Sequence, residues 1–193
     1  MKFNWLTLLL IIIIPSVQSQ VQHERAFRIR KEQFPAESLE PVKTYLEDVK
    51  KLRFYKEIDS NRYRYRISFK KERLFYNFDF AQQGAISNIG VLIQPVDIPN
   101  DSWKAITNHL QQTFVKYKVR SISQQYPRQA FNSDAETFRT AFQNLILPQL
   151  RYGLVVRGKR DGGKRDYEAL YNNRGEVVRM RKSLPPNYDH VLY

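Results

Sequence analysis

From Arg62 to Phe69 the chain alternates without a break: Tyr63, Tyr65, Ile67 and Phe69 are apolar or aromatic, and Arg62, Arg64, Arg66 and Ser68 are charged or polar. A period of two belongs to a strand with one face in a core and the other toward water. Leu74, Tyr76, Phe78 and Phe80 alternate in the same way with Phe75, Asn77 and Asp79, and Lys70 to Arg73 make the turn between the two runs. A half-buried hairpin needs a cover. Upstream, Leu39, Val42, Leu46 and Val49 step by three and four, which predicts a helix over 39–52 with Pro41 in its first turn. Phe54 to Ile58 supplies another strand. Ala81-Gln82-Gln83-Gly84 is a turn whose glycine can take a positive φ, and Ala85 to Ile93 is the strand after it.

The same order then recurs. Trp103, Ile106, Leu110 and Phe114 have helical spacing behind Asn100 or Asp101 as cap, which is a simpler reading of Asn100-Asp101-Ser102 than a glycosylation sequon. Lys118 to Tyr126 reads as a strand. Ser133 and Glu136, at capping-box spacing before Phe138, Ala141, Phe142 and Leu145, predict an inserted helix ending before Pro148. Arg151 to Arg157 and Asp166 to Tyr171 alternate as strands around a mobile basic tip, Gly158 to Arg165. Asn172-Asn173-Arg174-Gly175 closes the last hairpin, and Glu176 to Leu184 is the final strand. Phe80, Gly84 and Ile86 match Tyr171, Gly175 and Val177, as Tyr65, Ile67 and Phe69 match Tyr152, Leu154 and Val156. A duplicated helix-plus-sheet unit builds one continuous surface, which points toward binding rather than chemistry.

Residues 1–19 hold one charge, Lys2, then an apolar run from Trp5 to Ile14, Pro15 and a small polar exit. This is the order of a secretory signal, with cleavage expected after Ser19, and the apolar run is short for a membrane span. The absence of cysteine excludes disulfides, thiolate metal sites and a lipoprotein anchor. A cysteine-free exported chain rich in Ile and Lys fits a bacterial periplasm or exterior. Loss of the signal lowers the formal charge from +13 to +12 by removing Lys2. Such an excess favours an acidic protein or an anionic envelope polysaccharide. Nucleic acid is disfavoured by export and by the lack of a recognition-helix, zinc-finger or RNP signature.

The helix-then-four-strands order, and the two turns FAQQGAI and YNNRGEV, resemble the PepSY-like domains of secreted bacterial proteins, also described as beta-lactamase-inhibitor-like. The resemblance spans nearly all of 34–184. It implies an α+β fold of two tandem units, each one helix and a four-stranded antiparallel sheet with helices packed on one face, acting without catalysis by binding another exported protein. The units are 34–93 and 94–184, the second with a helical insertion at 132–147; a lead-in, 20–33, and a tail, 185–193, flank them. The aspartate common after the aromatic residue of the last hairpin is Ala81 in one unit and Asn172 in the other. Inhibition of beta-lactamase is therefore not carried over.

Nucleophile-elbow, P-loop, dinucleotide and HExxH patterns are absent. His23, His109 and His190 are scattered, which favours solvated or hydrogen-bonded roles over a metal site, and no cofactor is implied. Asp161, Asp166 and Glu168 sit among cations, where ion pairing explains them. The candidate binding residues are Arg62, Arg64 and Arg66; Arg151 and Arg157; Lys159, Arg160, Lys164 and Arg165 of the hairpin; and Arg179 and Arg181. Strand alternation puts each row on the face opposite the aromatics, and guanidinium groups suit carboxylate or phosphate. Against this stands the reading of these arginines as solubilising charges paired across strands with Asp79, Asp166 and Glu168. The expected function is an exported, noncatalytic binding protein with a basic sheet face. Its rival is a cystatin-like ligand carrier or enzyme, which requires an apolar pocket between sheet and helix.

Overall fold

A computed structural model of the protein describes residues 25–59, 62–160, 162–183 and 186–191. The expected signal peptide and its cleavage point lie outside the described residues. The strands are β1 (Arg25–Ile29), β2 (Lys50–Asp59), β3 (Arg62–Lys71), β4 (Leu74–Phe80), β5 (Ile86–Ile93), β6 (Lys116–Pro127), β7 (Arg151–Arg160), β8 (Gly163–Asn172), β9 (Val177–Lys182) and β10 (Pro186–Val191). Helix α1 (Ala36–Leu39) runs on as a 3-10 helix, Glu40–Leu46; α2 is Asn100–Thr113 and α3 is Asp134–Phe142. The fold is α+β.

All ten strands form one sheet in the order β10-β1-β2-β3-β4-β5-β6-β7-β8-β9, antiparallel except for β10 beside β1. The two four-stranded layers expected side by side are not set apart from each other: the strands run through as a single sheet. Strand β5 pairs with β6 from Asn88 opposite Pro127 to Ile93 opposite Ile122, so no boundary interrupts the hydrogen bonding. The lead-in contributes β1, which pairs with β2, and the supposed tail contributes β10.

The sheet is deeply curled. Three residues separate Lys182 of β9 from Pro186 of β10, and at about 3.6 Å per residue those ends lie within ~14 Å of each other. Nine strand spacings of about 4.8 Å would hold the same two edges ~43 Å apart in a flat sheet. The two edges therefore come round toward each other, and one face becomes the lining of a trough.

The helices cover the other face. Phe34 contacts Phe54 and Phe80 with ring centroids 5.2 and 5.5 Å apart, Tyr45 stacks on Phe138 at 4.1 Å, and Phe142 meets Tyr76 at 4.8 Å. Ile106 and Leu110 of α2 join Ile67, Ile89, Leu154 and Val156 in the same buried cluster.

The first helix is shorter than its apolar spacing predicts. It ends at Leu46, and the left-handed backbone of Asp48 (φ 58°) and Lys51 (φ 56°) turns the chain into β2. Leu39, Val42 and Tyr45 recur at steps of three, the period of a 3-10 helix, so the apolar stripe survives while the helix type changes. Helix α2 begins behind Pro99 with no side-chain cap from Asn100 or Asp101; instead Ser102 Oγ donates to the Asn173 carbonyl at 2.7 Å and ties the helix to the β8–β9 turn. Helix α3 is capped as the spacing predicts. Ser133 Oγ accepts from the Glu136 N–H at 3.1 Å, and Glu136 Oε2 accepts from the Asn132 N–H at 3.0 Å.

The basic tip at 158–165 is ladder rather than loop, since Gly158, Lys159 and Arg160 pair with Arg165, Lys164 and Gly163. Gly158 admits the Phe114 ring where a side chain would stand, with a ring carbon 2.3 Å from the position of a Cβ. That contact pins the strand against α2.

The two aromatic-to-glycine turns share one geometry. Ala81 N–H donates to the Ala85 carbonyl at 2.8 Å and Gly84 N–H to the Ala81 carbonyl at 2.9 Å; Asn172 N–H donates to Glu176 at 2.9 Å and Gly175 N–H to Asn172 at 3.0 Å. The glycines have φ 85° and 82°. Each turn is preceded by a register shift, at Asp79/Phe80 and at Leu170/Tyr171.

Candidate binding cleft

The open face follows from alternation. With Ile67, Phe78, Ile89 and Leu154 under the helices, their neighbours on each strand line the trough. Its middle strands present small uncharged groups, among them Ser68, Asn77, Gly90, Ser123 and Gly153, to a hollow of about 350 Å³ that Glu57, Arg66, Asp79, Glu168 and Arg179 also line. Ser68 Oγ donates to Asn77 Oδ1 at 2.5 Å. Gln125 lies across Gly153, its Nε2 only 2.1 Å from where a Cβ would be. Small side chains on a concave face leave room for the sheet to bend.

The arginine row on β3 is not one uniform group of free cations. Glu57, 5% exposed, holds two of its members: Arg64 Nε donates to Oε2 at 2.5 Å and Arg66 Nη1 to Oε1 at 2.8 Å. Arg66 Nε also donates to Asp79 Oδ1 at 2.6 Å, and Asn88 Nδ2 donates to Asp79 Oδ2 at 3.1 Å. Two guanidiniums and two carboxylates compensate one another across β2, β3 and β4. Arg66 thus pairs across strands on both sides, with Asp79 the partner that alternation suggests. Glu57 was missed by the sequence reading. Its signal is Phe54 to Ile58, where burial of Phe54 turns Tyr55 and Glu57 to the opposite face beside β3.

On the other half of the sheet, Arg181 and Glu168 are 2.9 Å apart, and Arg157 and Asp166 are 3.9 Å apart. No ion pair to Arg62, Arg151, Lys159, Lys164, Arg165 or Arg179 is found among the described residues. Lys159 stands directly opposite Lys116 on one side and Lys164 on the other, a ladder of like charges. Such pairs repel unless an anion lies over them.

Curling brings the β9 edge round to face β3. Arg62 and Arg64 of β3 and Arg179 and Arg181 of β9 line one cleft of about 590 Å³, with Tyr63 and the turn residues Ala81, Gln82 and Gln83. The structure gathers these four arginines at one place and leaves Arg151, Arg157 and the Lys159–Arg165 segment outside that cleft's lining.

No protein-family model matches the chain, and no curated protein matches it. Among solved structures, it is similar to a DUF2874 family protein from Bacteroides ovatus, with 12% identity and a TM-score of 0.48 over 80% of this chain and 91% of that one. It is also similar to a protein described as periplasmic from Bacteroides eggerthii, at 9% identity and a TM-score of 0.49 over 80% and 92%. A BLIP-like protein from Bacteroides fragilis shows 7% identity and a TM-score of 0.45 over 81% and 92%.

Among the described residues, no three or more His, Cys, Asp or Glu side chains are grouped to hold a metal ion. His109 has a hydrogen-bonded place, its Nδ1 2.9 Å from the Tyr171 hydroxyl. Burial lowers its pKa below the ordinary 6.5. His23 and the side chain of His190 lie outside the described residues.

Proposed function

We propose that the protein is an exported, noncatalytic binding protein of two tandem PepSY-like units, whose curled sheet engages an anionic protein or envelope component. The observation that carries this reading is the convergence of Arg62, Arg64, Arg179 and Arg181 on one cleft. Among the described residues, Glu57 and Glu168 offset Arg64 and Arg181 there, and no carboxylate pairs with Arg62 or Arg179. A cleft walled on both sides by fork-shaped donors suits carboxylates. The duplication is supported by the two glycine turns with the same hydrogen bonds, each beside the helix of its own half: a Cβ on Gly84 would meet Ser38, and one on Gly175 would meet Ser102. The rival, a carrier or enzyme with an apolar pocket between sheet and helices, is disfavoured by the aromatic rings that pack that interface.

The test is polyglutamate and an anionic polysaccharide titrated against the mature chain and an Arg62→Ser/Arg179→Ser variant. Among the described residues these two arginines have no ion pair to lose, so folding by circular dichroism stays as in wild type. Binding to one of the two probes falls by roughly tenfold and weakens with salt. Equal affinity of variant and wild type for both probes ends the proposal, and the probe that responds identifies the partner's class.

A further inference from the structure

Strand β9 ends the sheet. Strand β8 pairs with one side of it, and among the described residues no strand pairs with the other. The Ser183 N–H donates to the Asp166 carbonyl at 2.8 Å, and Arg181 stands opposite Glu168 and Arg179 opposite Leu170. Hydrogen-bonding direction alternates along an antiparallel strand. Arg181 and Arg179 therefore turn their backbone groups toward β8, and Met180 and Lys182 present theirs outward. The edge is also apolar at one end: Val177 and Val178 are 44% and 52% exposed and Val115 is 81% exposed, and Val115, Val177 and Met180 border a common hollow.

Edge strands are commonly kept from further pairing by shortness and charge, and β9 has six residues, three of them Arg179, Arg181 and Lys182. That charge discriminates between partners. A second copy pairing edge to edge would set these cations against themselves, whereas an acidic strand would neutralise them. The chain's own last strand is engaged elsewhere, on β1. Because Arg179 and Arg181 face the cleft that Arg62 and Arg64 also line, every second residue of an added strand would enter that cleft.

We infer that β9 is a strand-addition site for an extended acidic segment of another protein, with acidic residues at alternate positions turned into the arginine cleft. Main-chain hydrogen bonds to Met180 and Lys182 supply affinity and the arginines supply selection. This rests on the binding reading above, and names its partner and mode.

The experiment uses the full mature chain and a labelled peptide alternating glutamate with valine. Binding is followed by anisotropy, backbone protection by amide hydrogen exchange, and oligomeric state by sedimentation. The alternating peptide binds, protects the Met180 and Lys182 amides, and exceeds by roughly tenfold a peptide of the same composition with its glutamates in one block. Met180→Pro removes an outward donor without changing charge, and weakens binding to a similar degree while polyglutamate binding persists. Wild-type exchange decides the matter even if that variant is unstable. Failure of the alternating peptide to bind, unprotected amides, or undiminished binding by folded Met180→Pro overturns strand addition and leaves the cleft reading standing. Undiminished binding of the peptide by Arg62→Ser/Arg179→Ser overturns this inference, and undiminished binding of polyglutamate and the polysaccharide as well removes the cleft reading with it. Dimerisation of the chain alone, with the same two amides protected, assigns the edge to a second copy and overturns the inference.

Discussion

Glu57 is the residue on which stability and binding pull in opposite directions. Its two oxygens hold Arg64 and Arg66, so Glu57→Gln weakens two charge-assisted hydrogen bonds and lowers unfolding free energy by about 2 kcal/mol. The same change frees positive charge beside the cleft and strengthens polyglutamate binding. Urea unfolding and anisotropy on one sample check both signs. Glycine offers a second contrast. Alanine at Gly175 meets the Ser102 carbonyl oxygen at 2.3 Å, whereas alanine at Gly84 meets the Ser38 hydroxyl at 2.8 Å. A hydroxyl can rotate away and a helical carbonyl cannot, so Gly175→Ala is the more destabilising, beyond the ~1–2 kcal/mol that the left-handed backbone costs at both sites. His109 sets a pH dependence. With its pKa lowered by burial, the unfolded chain takes up a proton in a range where the folded protein does not. Stability is full above the ordinary value of 6.5 and falls as pH drops from there toward the lowered value. Urea midpoints across this window slope upward with pH, and His109→Gln flattens the slope.

Among the elements, the strands were the most legible in the sequence. Period-two alternation identified β3 and β4, and the burial of Ile67, Phe69, Tyr76, Phe78 and Phe80 follows it. The inserted helix was legible too, because a capping box is chemistry confined to a few residues. Ser133→Ala removes that cap and costs about 1 kcal/mol, measurable as a lower urea midpoint at unchanged slope. The first helix was misread beyond Leu46, since steps of three serve an α-helix and a 3-10 helix alike. The strand pairing of 158–160 with 163–165 was not legible, because these glycines and charges carry no apolar pattern. Part of its support is Phe114 packing on Gly158, a contact made by a residue more than forty positions away.

At the scale of the whole molecule, the hydrogen-bonded joint between β5 and β6 and the single buried cluster spanning both halves bind the chain into one cooperative unit. Thermal unfolding therefore runs as one transition, with tryptophan fluorescence and far-UV circular dichroism coincident. Two separated transitions would show the halves to be independent. The candidate cleft exists only at this scale. Alternation placed Arg62 and Arg64 on one strand's outer face and Arg179 and Arg181 on another's, but their meeting depends on the curl of the intervening sheet.

The sequence by itself determined the main run of strands from β2 to β9, which side of each is apolar, where the α3 cap and the glycine turns fall, and that the chain is basic. Those properties are local, set by side-chain periodicity and backbone preference over a few residues. The tertiary structure alone decided that both halves share one curled sheet, that Glu57 holds Arg64 and Arg66, and that arginines of β3 and β9, six strands apart, line one cleft. These depend on how small residues let stacked strands bend and on which strands lie side by side, and neither is written in any single stretch of the chain.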